Sequence, residues 1–151
     1  MFTNFEIMPS KSKVYIFFDN VRISLRDRTK LKRSIEFIFK KEKKSLDRLN
    51  YIFCSDKKLL DINRQYLKHN FYTDIITFDL SEEGDRVIGE IYISVDRVLE
   101  NSTALRIPFS KELSRVIFHG ALHLCGYKDK TNKQKIQIRK REDYYIFQVA
   151  S

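Results

Sequence analysis

The sequence predicts an α+β domain, one mixed sheet of about four strands with helices packed on it, because three patterns follow one another along the chain. β-Branched and aromatic runs alternate with helical periodicity from Val14 to Lys68. Two further strand-like runs flank Gly84 closely enough to pair as a hairpin. Beyond Ser94 the apolar spacing is helical. A chain of 151 residues suffices for one core, and 42% hydrophobic with 13% aromatic content is globular. With 4 glycines and 2 prolines no linker stands out, so residues 1–151 are read as a single domain.

Val14 to Phe18 is the first strand, built of residues that suit a pleated surface. A helix is expected from Thr29 to Lys44, with Leu31, Ile35, Phe37, Ile38 and Phe39 on its apolar side. Arg48 to Ser55 reads as the second strand, and Ser55 or Asp56 caps a helix from Lys57 to Lys68. Asp74 to Asp79 and Val87 to Ser94 are the hairpin strands, joined by a turn from Glu82 to Asp85. A short helix from Asp96 to Ala104 follows, and a longer one begins at Ser110. Thr131 and Gln134 form a capping box that opens a last helix running to Gln148.

Charge narrows the class of partner. Lys and Arg number 29 against 20 Asp and Glu, a formal charge of +9. Between Lys128 and Arg141 the one acid is Asp129, against seven basic residues, and Lys40, Lys41, Lys43 and Lys44 form a second group. Such runs are ordinarily solvated faces, but this density of charge suits a polyanion whose binding weakens steeply with salt. Nucleic acid is the natural partner. A membrane surface is the poorer one, since no basic helix with an exposed apolar face stands out. The amino terminus, MFTNFEIMPSKSK, has no continuous apolar run after a basic start, so a cytoplasmic protein is expected. Two cysteines, Cys54 and Cys125, fit unpaired thiols in a reducing compartment.

One segment, His119 to Asp129, concentrates groups that bind metals. On a helix His119 and His123 share a face, a spacing that lets two imidazoles grip one cation. Gly126 stands where the helix must stop, and a left-handed glycine there reverses the chain so that Asp129 swings back toward the same ion. The spacing predicts a three-ligand divalent site of His119, His123 and Asp129, open to water and of the kind usual in catalytic zinc centres. Zinc proteases with this helix-and-turn cradle place a glutamate directly after the first histidine as general base. Gly120 holds that place here, which disfavours peptide hydrolysis. Cys125, two residues from His123, points off the metal-binding face.

The segment HGALHLCGYKD, with INRQYLKHNFYTDIITF and IGEIYIS upstream, closely resembles the YbeY family of metal-dependent endoribonucleases. That family is marked by HGxLHLxGYDH, LNxxYRxxxxxTDVLSF and GDIxIS runs in the same order. The resemblance implies a hydrolase specific for single-stranded RNA, acting in maturation of the small-subunit ribosomal RNA 3′ end and in ribosome quality control. It implies one divalent ion, zinc by preference, with ribosomal RNA and ribosomal particles as partners. Asp129 aligns with the family's third histidine and Lys128 with the aspartate before it. The exchange of imidazole for carboxylate lowers the charge of the site by one unit and favours a harder metal than an all-histidine site does. The family's arginine, a phosphate contact, aligns with Leu67. Arg64, one turn earlier, becomes the candidate for that role, with Lys68 as its competitor. Gly89-Glu90 resembles the family's Gly-Asp pair. Ile138 and Glu142 resemble its spaced Met and Glu, which offers Glu142 as hydrogen-bond partner of a ligating histidine. Tyr127 is expected to pack behind the turn, and His69, outside the metal spacing, reads as a surface residue. Two other classes compete: a metallopeptidase, and a non-catalytic ribosome assembly factor whose metal is structural and closed by a fourth protein ligand.

Overall fold

Strand β1 (Val14–Phe18) pairs in parallel with β2 (Leu46–Cys54), and β2 in parallel with β4 (Val87–Ser94). The hairpin partner β3 (Ile75–Asp79) lies antiparallel on β4, giving a mixed four-stranded sheet in the order β1-β2-β4-β3. The computed structural model describes residues 11–84 and 86–150. The stretch 1–10 and Asp85, both read above from sequence, lie outside the described residues.

Local chemistry sets the helix ends. Helix α1 (Arg28–Lys41) opens on Asp27, whose carboxylate accepts from the Lys30 amide at 3.0 Å. It stops short of the expected Lys44 because Lys43 takes a left-handed backbone, φ 61°. Ser55, not Asp56, caps α2 (Asp56–Tyr66), and Ser94 caps α3 (Val95–Leu105). Helix α4 (Phe109–Leu124) follows Pro108. The expected capping box opens α5 (Asn132–Ala150): the Gln134 amide donates to Thr131 Oγ1 and the Thr131 amide to Gln134 Oε1, both at 3.1 Å.

Alternation along the strands divides the apolar residues between two faces. Leu49, Tyr51, Phe53, Ile91 and Ile93 meet α1 and α4 in the main core, while Ile76 and Cys54 meet Leu59 and Ile62 of α2 in a smaller one. Phe37, assigned from sequence to the apolar side of α1, is 42% exposed and touches Tyr145 edge-on. Helix α4 lies unusually close to the sheet. A Cβ on Gly120 would sit 2.8 Å from Ile91 Cδ1 and 3.0 Å from Ile75 Cδ1, so only a residue without a side chain allows the approach. The buried Tyr51 hydroxyl donates to the Ile117 carbonyl at 2.7 Å, tying β2 to the middle of the same helix. Helix α4 therefore delivers its last turn to a fixed position beside β3.

Candidate metal centre

That last turn carries His119 and His123, whose Nε2 atoms approach to 2.9 Å. Past Leu124 the chain bends at Gly126, where φ is 106°, a conformation that strains any residue with a Cβ. The Gly126 amide donates to the His123 carbonyl at 3.0 Å and the Tyr127 amide to the Leu122 carbonyl at 3.1 Å, the paired bonds of a Schellman ending. The bend returns Asp129 so that its Oδ2 lies 3.2 Å from His119 Nε2 and 3.3 Å from His123 Nε2. All three residues are half-buried, and together they form a group able to hold a metal ion.

Proton accounting shows whether a cation fits. His119 Nδ1 faces Glu142 Oε2 at 2.6 Å, and His123 Nδ1 faces the Tyr127 carbonyl at 2.9 Å. A carboxylate and a carbonyl accept, so each Nδ1 carries the hydrogen and each Nε2 turns a lone pair inward. Three acceptors then converge with no donor among them. Such a set needs an extra proton or a cation, and a divalent ion satisfies all three. Burial lowers the His119 pKa, but the hydrogen bond to Glu142 and its charge, with Asp129 and Asp74 behind them, outweigh burial and hold it above its ordinary value. The field that favours the imidazolium also favours a metal.

Glu142 thus occupies the place its resemblance to the family offered. It is 3% exposed, and Arg115 holds its second oxygen at 3.1 Å. Cys125 is buried, with its thiol pushed up to about 12 by desolvation, and lies outside the metal-competent group found among the described residues. Gly120 turns toward Ile91 and Ile75, so a glutamate there would strike the sheet. A protease-type base has no room beside the first histidine.

The triad stands between two hollows. A groove of about 550 Å³ is lined by Asn63, Leu67, His69 and Phe71 together with His119, His123 and Asp129. A cavity of about 330 Å³ behind it is lined by Glu112, Arg115, Lys135, Arg139 and Glu142. His119, Asp129 and Asp74 border both. Asp74 escaped the sequence reading as a site residue, although it sits in one of the motifs quoted above. Burial holds its carboxyl above its ordinary value.

The basic candidates fall elsewhere. Arg64 and Lys68 are exposed, and the groove wall is built from Asn63 and Leu67 on the adjacent side of α2. Arg64 Nε donates to Asn70 Oδ1 at 2.6 Å, which bends its guanidinium over the following loop. Lys68, expected as the last residue of the helix, lies beyond its C-cap with φ 56°. His69 is exposed as expected but also lines the groove. The Tyr127 hydroxyl, behind the turn, donates to Glu42 Oε1 at 2.9 Å. Glu42, which no sequence signal marked, also accepts from Arg141 at 2.7 Å and from the Tyr145 hydroxyl.

Comparison with known proteins agrees with this geometry. The family model described as endoribonuclease YbeY matches residues 18–150. An endoribonuclease YbeY of Cytophaga hutchinsonii is 48% identical over 130 residues, 86% of this chain and 91% of the relative. One of Flavobacterium psychrophilum is 45% identical over 123 residues, 82% of this chain and 87% of the relative. The solution structure of a Thermotoga maritima protein aligns with a TM-score of 0.63 at 30% identity, covering 90% of this chain and 88% of that one. With the family pattern matched along most of its length, the chain belongs to the YbeY endoribonuclease family.

Proposed function

We propose that this YbeY-family endoribonuclease holds one divalent ion, zinc by preference, on His119, His123 and Asp129 and cuts single-stranded RNA in the adjoining groove. The observation that carries the proposal is the convergence of two inward lone pairs and a carboxylate oxygen, mutually 2.9 to 3.3 Å apart, on the groove wall. A divalent ion held there supplies Lewis-acid activation of water or of the scissile phosphate. The chain's own groups do the rest. Glu142 and the Tyr127 carbonyl hold the imidazoles in the ligating tautomer, and Asp74 places a carboxyl in the lining shared with His119 and Asp129. Lys130, which lines the groove, draws in and aligns the phosphate backbone, with Arg64, exposed on α2 outside the groove lining, as a further phosphate contact.

The biological reading follows the family. The substrate is ribosomal RNA, cut during maturation of the small-subunit 3′ end and in quality control of ribosomal particles, with the whole chain 1–151 acting as one domain in the cytoplasm. Among the described residues no helix is long and apolar enough to cross a membrane. A purely structural metal calls for a fourth protein ligand, and the group on α4 and its turn supplies three.

Labelled single-stranded RNA and a matched duplex, incubated with purified protein with and without a chelator, test the proposal beside His123→Ala. The single strand is cut, the duplex is spared, and chelator or mutation stops the reaction. Cutting that persists in His123→Ala belongs to a contaminant and removes the proposal.

A further inference from the structure

The groove that holds the metal centre has aromatic as well as basic lining. The His69 and Phe71 rings stack at a centroid distance of 5.1 Å and 21° between planes, and Phe71 is 55% exposed. Single exposed apolar residues are commonplace. This pair differs because it is already stacked and lines the same groove as His119, His123 and Asp129. Neighbouring rings are engaged otherwise: Tyr66 meets Phe78 edge-on, and Arg97 covers Tyr72 at 5.1 Å.

The loop carrying the pair is fixed by the end of α2. The buried Asn63 side-chain amide donates to the Phe71 carbonyl at 2.8 Å, while the Asn63 backbone carbonyl accepts from the Leu67 and His69 amides, each at 3.1 Å. Arg64 adds its bond to Asn70. Rings held in place before a ligand arrives lose little freedom on binding it. Lys130 lines the same groove, and Arg64 and Lys68 are exposed at the end of α2 just before the loop, so cationic groups stand near the rings in the chain and in the groove.

We propose that His69 and Phe71 form a stacking platform for one unpaired base of the RNA strand lying in the groove, next to the nucleotide presented to the metal centre. The proposal rests on the endoribonuclease reading of the groove and adds a physical origin for single-strand preference. A base can stack on the outer face of this pair only when it is free of its pairing partner, whereas a duplex keeps its faces within its own stack.

The chain has no tryptophan, so Phe71→Trp introduces a single reporter. Its emission is quenched by a short single-stranded oligoribonucleotide and unchanged by an abasic oligomer of equal length and charge that binds in competition. In steady-state cleavage Phe71→Ala and His69→Ala raise KM about tenfold, the lower end of the range for stacking on one aromatic, with a smaller fall in kcat and with metal content retained. Phe71→Trp restores the KM that Phe71→Ala loses. Unchanged KM in both alanine variants, or quenching as strong with the abasic oligomer, overturns the platform. Base-dependent quenching by a protein that cuts no RNA supports the platform and removes the nuclease reading alone.

Discussion

Two carboxylates flank the Gly126 bend, and their surroundings are opposite. Glu42 accepts from three donors, Tyr127, Arg141 and Tyr145, so its charge is fully answered by the protein. Asp129 meets two imidazole nitrogens that have already committed their hydrogens elsewhere, so acceptor faces acceptor. Both clusters hold half-buried acids beside the same turn, yet only the second is chemically incomplete. Counting donors against acceptors therefore separates a structural clasp from a place built for a cation, which proximity of polar groups alone does not.

The largest effects should divide along that line. Asp129→Ala leaves the fold in place but lowers metal content to background and RNA cleavage by roughly 1,000-fold or more, the several kcal/mol that a bound metal contributes to a transition state. Glu42→Gln should do the reverse, keeping its metal while losing roughly 1–3 kcal/mol of stability, as expected when hydrogen bonds to a buried charge are weakened. Burial alone would raise the Glu42 pKa, but the hydrogen bonds from Tyr145, Arg141 and Tyr127 and the charge of Arg141 hold it below its ordinary value. A folded pKa below the unfolded one means that the contribution is complete above the ordinary carboxylate range and is lost as pH falls through the folded value. Urea unfolding of both proteins across that range should show the gap between them closing in acid. A gap independent of pH, or loss of metal from Glu42→Gln, breaks the distinction between clasp and metal centre.

A smaller effect sharpens it from inside the site. Glu142 touches His119 through the nitrogen that faces away from the other two groups, so it sets the tautomer and adds charge without reaching the metal position itself. Glu142→Gln can keep a hydrogen bond but not the charge, and should weaken zinc affinity by about 10- to 100-fold, the usual cost of altering such a partner. Competition with a chelating dye measures it. Affinity equal to that of the unaltered protein would show that the hydrogen bond of Glu142, not its charge, is what His119 draws on.

How much of this the sequence disclosed follows the range of each interaction. The histidine spacing, the glycine bend, the Thr131–Gln134 cap and the hairpin are local, so they were legible within a few residues. Their consequence, Asp129 returned to the imidazoles, was legible too, because a left-handed glycine permits a sharp reversal. Glu42 was not, since its partners stand 85 to 103 residues away and Glu42 itself lies in an ordinary lysine-rich helix end. Arg64 was assigned to the groove on helical spacing, but α2 yields to a left-handed Lys68, and the loop beyond it takes hold of the guanidinium. Sequence spacing could not reveal that competing bond.

The same bond makes Arg64 the most subtle case, because a cation held by a loop and a cation offered to phosphate are the same side chain. Arg64→Ala removes both roles, while Asn70→Ala removes only the clasp between them. If Arg64 meets the RNA backbone, its loss lowers the slope of log affinity against log salt by about 0.7, the value for one phosphate of a single strand, and Asn70→Ala leaves the slope alone. If Arg64 serves the loop, the two variants weaken binding alike at every salt concentration. Lys68→Ala, on the same side of the loop but without the bond to Asn70, provides the reference for a cation acting through charge alone. Filter binding across a salt series, with metal content checked in each variant, distinguishes the two roles, and a slope shared by Arg64→Ala and the unaltered protein would remove Arg64 as a phosphate contact.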